Sequence, residues 1–169
     1  MKKIRNKWLI GIGLSLLLLY AAVSGLERLG YGLSYQDSIS MPEGWYALSP
    51  LQLPLKKDTI VVFAPNAGTE AYLLDHAWLG PHTLLMKHVF AVPGDEVCIK
   101  GRIVWINQQP TLKVLSEYAP GEPLPQLCFC RKLTVDQYWL MSGRIPNSFD
   151  SRYFGPVGLN NILYQATPL

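Results

Sequence analysis

The chain has 169 residues, a formal net charge of +3, and charged side chains at 16% of its positions. The charge is small and no basic stripe carries interleaved aromatic residues, so we expect no nucleic-acid partner. Thirteen prolines and fourteen glycines predict many turns, which suit a domain of short strands better than one of long helices.

Residues 8–26, WLIGIGLSLLLLYAAVSGL, form an apolar segment without a charge. As a helix rising about 1.5 Å per residue, the segment covers close to the ~30 Å hydrocarbon core of a bilayer. Four cations precede it, and one acid and one base follow it directly, which predicts a cytoplasmic segment 1–7 and an exported remainder. A cleavable signal peptide is the alternative, but its apolar core is usually about 7–15 residues. The length therefore favours a retained anchor in contact with membrane lipid.

Residues 27–36 indicate a connector, and residues 37–169 a single exported domain. Apolar and β-branched runs between turn residues predict the strands of this domain. These strands are a segment over 44–50, one over 59–65, a strand–turn–strand over 83–99, a hairpin over 101–115 with Asn107 near its turn, and a late strand over 135–143.

Residues 68–80 predict one short helix, with Thr69 as its cap and Gly80 at its end. Residues 118–126 indicate an irregular loop because they are rich in proline. Residues 147–158 indicate a structured loop that contains the start of a strand. The expected fold is therefore a mainly β domain on one N-terminal transmembrane helix.

Export places the three cysteines in an oxidising compartment. Cys128 and Cys130 are two residues apart, so on a strand they point to the same side and bridge each other poorly. One of them can pair with Cys98, which leaves an odd thiol, and buried thiols are the alternative. A three-thiolate metal site lacks a fourth ligand at metal spacing, and we expect neither a metal nor a cofactor.

Two serines precede a Met-Pro-Glu-Gly turn shortly after the anchor, and Ser40 is the one next to the turn. A serine nucleophile needs an adjacent proton acceptor. The chain contains three histidines, so a histidine–aspartate arrangement is one option. His76 and His82 have no distinctive context, and His88 lies in a predicted strand.

Lys87 offers another base. On a strand over residues 84–92, Lys87 shares a face with Leu85 and Val89. Burial among apolar neighbours disfavours the ammonium and lowers its pKa, and a lysine that is neutral near pH 7 can act as a general base. The alternative is a lysine on an edge strand whose amine reaches water.

The loop 147–157, NSFDSRYFGPV, combines an acid and a base with two serines. Asp150 and Arg152 can pair with each other or hold the loop by charge-assisted hydrogen bonds. Ser148 or Ser151 can form a hydrogen bond that orients the lysine amine. Such a loop is structural in most proteins, and its meaning depends on the other motifs.

Three motifs, SISMPEG, KHVFAVPGD and NSFDSRYFGPV, follow the N-terminal span in this order. Together they resemble the signal peptidase I family of serine–lysine peptidases, over most of the exported domain and least between residues 101 and 135. Within that family the chain is most similar to the TraF-type peptidases of conjugative transfer systems. The resemblance implies a signal-peptidase-like β-fold in which residues 101–135 are a reduced, variable β insertion.

By position, the resemblance implies that Ser40 is the nucleophile and Lys87 the general base. Ser38 and the backbone N–H of Ser40 would be the oxyanion donors, and Ser148 would bond the lysine amine. The residues implied to be structural near the site are Asp150, Arg152, Gly94 and Asp95.

One part of the chain departs from the family pattern. The usual loop has Gly-Asp-Asn-Arg before its Asn-Ser pair, whereas this chain has SGRIPNS. The resemblance therefore assigns no role to Ser142, Gly143 or Arg144.

The resemblance implies a serine endopeptidase of the bacterial inner membrane with a periplasmic catalytic domain. Its substrate would be pilin or another exported precursor, and components of a conjugation apparatus would be partners. Some members of the TraF-type branch join the new terminus to an amine, so hydrolysis and cyclisation both stay open. Two alternatives are a general signal peptidase for secreted proteins and a non-catalytic assembly protein.

Overall fold

The computed structural model describes residues 2–143 and 145–169, with side chains from residue 8 onward. Helix α1, Lys2–Arg28, begins the chain. Its stretch Trp8–Arg28 is long and apolar enough to cross a membrane, and none of that stretch is buried against the rest of the protein. The helix thus suits a membrane anchor or a signal sequence. The side chains of the predicted cytoplasmic segment 1–7 lie outside the described residues.

The remainder is mainly β, as the sequence predicts. Among the described residues, its two further α-helices are α2 (Ala67–Asp75) and α3 (Ser151–Phe154), and Leu159–Asn161 form a 3-10 helix. Its strands are β1 (Gly32–Gln36), β2 (Gly44–Ser49), β3 (Ile60–Phe63), β4 (Leu85–Ala91), β5 (Glu96–Lys100), β6 (Ile103–Ile106), β7 (Gln109–Lys113), β8 (Cys130–Lys132), β9 (Gln137–Met141), β10 (Val157–Gly158) and β11 (Ile162–Pro168).

Two antiparallel sheets divide these strands. The larger has seven strands in the order β1-β2-β11-β3-β4-β9-β10, and the smaller has four in the order β7-β6-β5-β8. The strands within the region 101–135, β6, β7 and β8, all belong to the smaller sheet. Its β6–β7 hairpin turns at Asn107 and Gln108, whose φ angles of 49° and 67° fit the two-residue turns that suit twisted hairpins.

The connector predicted over residues 27–36 differs from the structure in its second half. Residues 32–36 form β1, which pairs with β2 from Gly32↔Leu48 to Gln36↔Gly44. The strand has only five residues, and its apolar side chains Leu33 and Tyr35 point outward. A short edge strand of this kind resembles a linker in sequence.

The predicted helix over 68–80 is shorter in the structure and begins earlier. Its cap is Asn66, whose side chain accepts from the Thr69 amide at 2.9 Å, so the prediction of Thr69 as the cap is wrong. The helix ends at Asp75 rather than at Gly80. Asparagine is among the strongest cap residues, which accounts for the earlier start.

Strand β11 was not predicted, although it lies inside the larger sheet. It pairs with β2 on one side and with β3 on the other. This C-terminal strand therefore connects the part of the sheet next to the anchor with the part that carries β4 and β9.

A disulfide joins Cys98 to Cys130, which occupy opposed positions of β5 and β8. Cys128 is a free, exposed cysteine. Of the two alternatives from the sequence, the structure thus has the disulfide to Cys98 with one odd thiol.

Candidate active site

The predicted nucleophile Ser40 lies in the loop between β1 and β2, and buried neighbours fix the chain on its C-terminal side. Met41 is 4% exposed and packs in a core cluster with Tyr46. The Tyr46 hydroxyl donates to the Pro42 carbonyl at 2.8 Å, and Pro42 restricts the preceding residue to an extended backbone. Gly44 has a φ of 147°, which favours glycine. The Met-Pro-Glu-Gly sequence is therefore a rigid support for Ser40.

The predicted oxyanion donor Ser38 contacts Ser40 directly. The two hydroxyl oxygens are 3.0 Å apart. On the other side, the side-chain nitrogen Nε2 of Gln36 donates to the Ser38 hydroxyl oxygen and also lies 3.4 Å from the Ser38 carbonyl oxygen. Because Gln36 supplies a donor to Ser38, the Ser38 proton stays free to donate toward Ser40.

Lys87, the predicted base, lies in the middle of the larger sheet and is 2% exposed. Its strand β4 has β3 on one side and β9 on the other, so the alternative of an edge-strand lysine is wrong. Val61 faces Lys87 across the β3–β4 pairing. Val61, Leu85 and Val89 all belong to one apolar cluster, which confirms the predicted alternation of faces.

This apolar surrounding changes the acidity of the amine. Burial lowers the pKa of Lys87 to about 8 from its ordinary 10.5. The carboxylate of Asp150 opposes this shift and raises the pKa, whereas the guanidinium of Arg152 adds to the lowering. With a pKa near 8, about one tenth of the lysine is neutral at pH 7, which is sufficient for a general base.

Asp150 and Arg152 form a fully buried ion pair at the start of α3. The Arg152 Nε and Nη2 atoms donate to the two Asp150 carboxylate oxygens at 2.8 and 2.9 Å. The guanidinium also donates at 2.8–3.0 Å to the backbone carbonyls of Lys113, Pro146 and Ser148. The pair thus holds the loop before α3 against β7. Burial alone would lower the pKa of Arg152, but the hydrogen bond to Asp150 and the negative charge of that carboxylate together outweigh burial, so the pKa is raised.

Ser148, predicted to bond the lysine amine, is 5% exposed, and its hydroxyl has no hydrogen-bond partner among the described residues. In the part of the chain that the structure describes, no hydrogen bond joins the Ser40 hydroxyl to the Lys87 amine. Catalytic hydrogen bonds are often long before substrate binds. A buried hydroxyl without a partner is unfavourable by roughly 1–3 kcal/mol, so Ser148 is available for a partner that arrives or moves.

Ser142 connects the serine loop to the strands around Lys87. Its hydroxyl donates to the Ser40 carbonyl oxygen, and its amide donates to an Asp150 carboxylate oxygen at 3.1 Å. In the β4–β9 pairing His88 lies opposite Met141, so Ser142 directly follows the strand that flanks β4. The sequence departure at this position had marked Ser142 without giving it a role.

A cleft of about 140 Å³ opens beside Ser40, and Ser142 and His88 line it. The sequence offers no reason to prefer His88 as a base over the other two histidines. Its Nδ1 atom lies 3.3 Å from the Asp58 carbonyl oxygen. The other two histidines contact residues of the α2 segment: His76 stacks on Tyr72, and His82 lies 3.6 Å from Glu70.

Gly94 and Asp95 form the turn between β4 and β5. Gly94 has a φ of 89°, which favours glycine. Asp95 accepts from the Val92 amide at 2.9 Å, from Asn107 at 2.7 Å and from Lys57 at 3.0 Å. Burial alone would raise the pKa of Asp95, but these bonds together hold it below its usual value. Both residues therefore support the strand that carries Lys87.

The rest of the atypical loop is only partly described. A side chain at Gly143 would come within 3.0 Å of the Phe90 ring, so packing accounts for the glycine. Arg144 lies outside the described residues. Within the described part of the chain, no group of three or more metal-ligating side chains is arranged to hold an ion.

Comparison with known proteins gives one matching family model. The model described as signal peptidase, peptidase S26, matches residues 6–168. A plasmid transfer protein TraF of Escherichia coli is 31% identical over 170 residues, which cover 95% of this chain and 92% of that protein. A conjugal transfer protein TraF of Agrobacterium fabrum is 29% identical, over 87% of this chain and 88% of its own.

Among solved structures, a signal peptidase I of Enterococcus faecalis is similar over 70% of this chain and 100% of its own. Its TM-score is 0.41 and its identity is 17%.

Proposed function

The chain belongs to the signal peptidase S26 family, and on that premise we propose that it is a membrane-anchored serine endopeptidase with a Ser40–Lys87 dyad. The observation that carries this proposal is the burial of Lys87 in the centre of the larger sheet, which lowers its pKa to about 8. Lysine is among the residues that are almost never fully buried unless they are paired, so the burial of Lys87 favours a functional role.

In the proposed reaction, Lys87 takes the proton of the Ser40 hydroxyl as its oxygen attacks the scissile carbonyl. Ser38 and the Ser40 amide stabilise the oxyanion, and one such donor typically contributes about 10²–10³ in rate. The C–N bond breaks as Lys87 returns the proton to the leaving amine. Water, deprotonated by Lys87, then releases the acyl group and restores Ser40. If an amino group replaces water, the same steps join two termini.

The site is close to the membrane, which fits an anchored substrate. Helix α1 ends at Arg28 and β1 begins at Gly32, so the strand before Ser40 directly follows the apolar helix. Four large apolar side chains in and around β1 and β2 are about half exposed or more, namely Leu33, Tyr35, Ile39 and Trp45. We propose that the domain works in the periplasm, against the inner membrane, with these side chains toward the lipid.

We propose that the substrate is pilin or another exported precursor of a conjugation apparatus. The support for this substrate class is the similarity to two TraF transfer proteins over most of the chain. The substrate would bind in an extended form beside Ser40, as peptides do when they add to a strand edge. Other components of the apparatus would be partners at the same membrane.

Mass spectrometry of exported proteins tests this function in cells that carry the wild-type chain or the variant Ser40→Ala. We expect one shortened precursor only with the wild-type chain, and a product lighter by one water if the termini are joined. Ser49→Ala, in strand β2, is the matched control and should process normally.

Two other results of that experiment, and one result of a transfer assay on the same cells, would contradict the proposal. Shortening of many unrelated secreted precursors would indicate a general signal peptidase. Full transfer activity with Ser40→Ala would indicate a non-catalytic assembly protein. Unchanged cleavage with Ser40→Ala would exclude Ser40 as the nucleophile.

The variant Ser148→Ala tests whether the buried Ser148 hydroxyl takes part in the reaction or has no role in it. If Ser148 orients the lysine amine during the reaction, kcat should fall by about 10- to 100-fold. Stability should stay the same or rise slightly, because the variant removes a buried polar group that lacks a partner. Steady-state kinetics and thermal unfolding check the two effects, and an unchanged kcat would remove Ser148 from the mechanism.

A further inference from the structure

We propose that Ser142 is a positioning residue, which fixes the Ser40 backbone relative to Lys87 through its hydroxyl group. This inference rests on the proposed function and adds a residue to it. It concerns the arrangement of the nucleophile, because Ser142 acts on the reaction only through Ser40.

The first observation is a long-range hydrogen bond. The Ser142 hydroxyl donates to the carbonyl oxygen of Ser40, a residue 102 positions earlier in the chain. Ser142 is 2% exposed, so water competes little for this bond. A serine carbonyl held in this way has a fixed peptide plane, and the orientation of that plane sets the direction of the adjoining side chain.

The second observation concerns what holds Ser142 itself. Its amide donates to the Asp150 carboxylate at 3.1 Å, and Asp150 is in turn held by two bonds from Arg152. Both members of this pair are fully buried. Ser142 therefore has a rigid support on the side of the protein that carries Lys87.

The third observation is that the other side-chain bonds of the serine loop do not reach this region. On the N-terminal side, Gln36 bonds Ser38, and on the C-terminal side Tyr46 bonds Pro42. These bonds keep the loop on the β1–β2 hairpin. Within the described residues, the Ser142 hydroxyl supplies the side-chain hydrogen bond that joins the loop to the β4–β9 half of the sheet.

The expected consequence is a loss of alignment without a loss of the reacting groups. A displacement of about 1 Å between reacting groups can lower a rate by about 10²-fold. We therefore expect Ser142→Ala to lower kcat by about 10- to 100-fold and to change KM by less than about threefold. The pH at which kcat/KM reaches half its plateau should stay that of the wild type, because the surroundings of Lys87 are retained.

The experiment uses the full chain in detergent and a peptide that spans the cut site found by mass spectrometry. The variants are Ser142→Ala, Ser142→Thr, which keeps a hydroxyl, and Ser151→Ala as the matched control. Ser151 is fully buried and its hydroxyl accepts from the Leu140 amide at 2.9 Å. Its loss therefore removes a buried bond to β9, the strand that directly precedes Ser142, and leaves the hydrogen bonds of the serine loop in place. Thermal unfolding of each variant shows that it is folded at the assay temperature.

The inference holds if Ser142→Ala loses kcat, Ser142→Thr recovers at least part of it, and Ser151→Ala keeps wild-type kcat. A wild-type kcat in Ser142→Ala would overturn the inference. An equal loss of kcat in folded Ser151→Ala would also overturn it, and so would a shifted midpoint of the rise of kcat/KM with pH in Ser142→Ala. These results differ from failure of the proposed function, in which Ser40→Ala would cleave as well as the wild type.

Discussion

Replacing Lys87 with methionine is expected to lower kcat for precursor cleavage by about 10⁴-fold and to raise the stability of the folded domain at pH 7. The first effect follows from loss of the proton acceptor. The second follows from the burial of Lys87, whose pKa of about 8 means that folding disfavours its charged form. Steady-state kinetics and thermal unfolding of the full chain in detergent measure both effects.

The direction of the pH dependence follows from the same pKa. An unfolded lysine keeps its proton up to about pH 10.4, whereas folded Lys87 releases it near pH 8. Below pH 8 both states are protonated, and the buried charge lowers wild-type stability by about 3 kcal/mol. Between pH 8 and about 10.4 the unfolded state holds more protons, so wild-type stability rises with pH. The part of the stability difference between Lys87→Met and wild type that comes from this charge should therefore be largest below pH 8 and vanish above about pH 10.4.

The activity of the wild-type protein should depend on pH in a related way. Only neutral Lys87 accepts the Ser40 proton, so kcat/KM should rise with pH and level off above about pH 8. Lys87→Arg keeps the positive charge but cannot lose it near neutral pH, and it should be as inactive as Lys87→Met. Lys57→Met is the matched control, because Lys57 is 46% exposed and bonds Asp95 rather than the site.

Two results would contradict a basic role of Lys87. One is cleavage by folded Lys87→Met or Lys87→Arg at the wild-type rate. The other is a flat kcat/KM between pH 6 and 9 in the wild type. A double variant of Ser40 and Lys87 should be no slower than either single variant, because residues that act as one unit have non-additive effects.

The position of Lys87 was predictable because the strand pattern around it is strong. The alternation of Leu85, Lys87 and Val89 predicted which side chains share a face. The β-branched run over residues 59–65 predicted a strand, but its pairing with the strand of Lys87 came only from the structure. The sequence alone left open whether β4 is central, since that depends on β9 and β11 pairing far along the chain. β11 was missed altogether, and it connects the hairpin of Ser40 with the strand of Lys87.

The hydrogen bonds within the site were less predictable than its residues. Ser38, Ser40 and Lys87 were identified by motif, but the contact from Ser142 to Ser40 joins segments 102 positions apart and leaves no local pattern. The expected bond from Ser148 is not formed among the described residues. Side-chain partners of this kind depend on rotamers and loop placement, which local periodicity does not specify.

Breaking the Asp150–Arg152 pair from either side is expected to lower the free energy of unfolding by about 3–5 kcal/mol, since each single change leaves a buried charge without its partner. Arg152→Met also leaves three backbone carbonyls without their donor, those of Lys113, Pro146 and Ser148. Lys57→Met, which breaks a pair whose lysine is 46% exposed, should change stability by at most about 1 kcal/mol. Thermal unfolding at pH 7 compares Asp150→Asn, Arg152→Met and Lys57→Met.

The variants Asp150→Asn and Arg152→Met should shift the pH dependence of activity in opposite directions. Asp150 raises the pKa of Lys87 and Arg152 lowers it. Asp150→Asn should therefore shift the rise of kcat/KM to lower pH, and Arg152→Met should shift it to higher pH. A shift in the same direction for both, in protein that is folded at the assay temperature, would contradict the electrostatic coupling. A mere loss of folded protein lowers the plateau of kcat/KM and leaves its midpoint in place, so the two opposite shifts separate the charge effect from destabilisation.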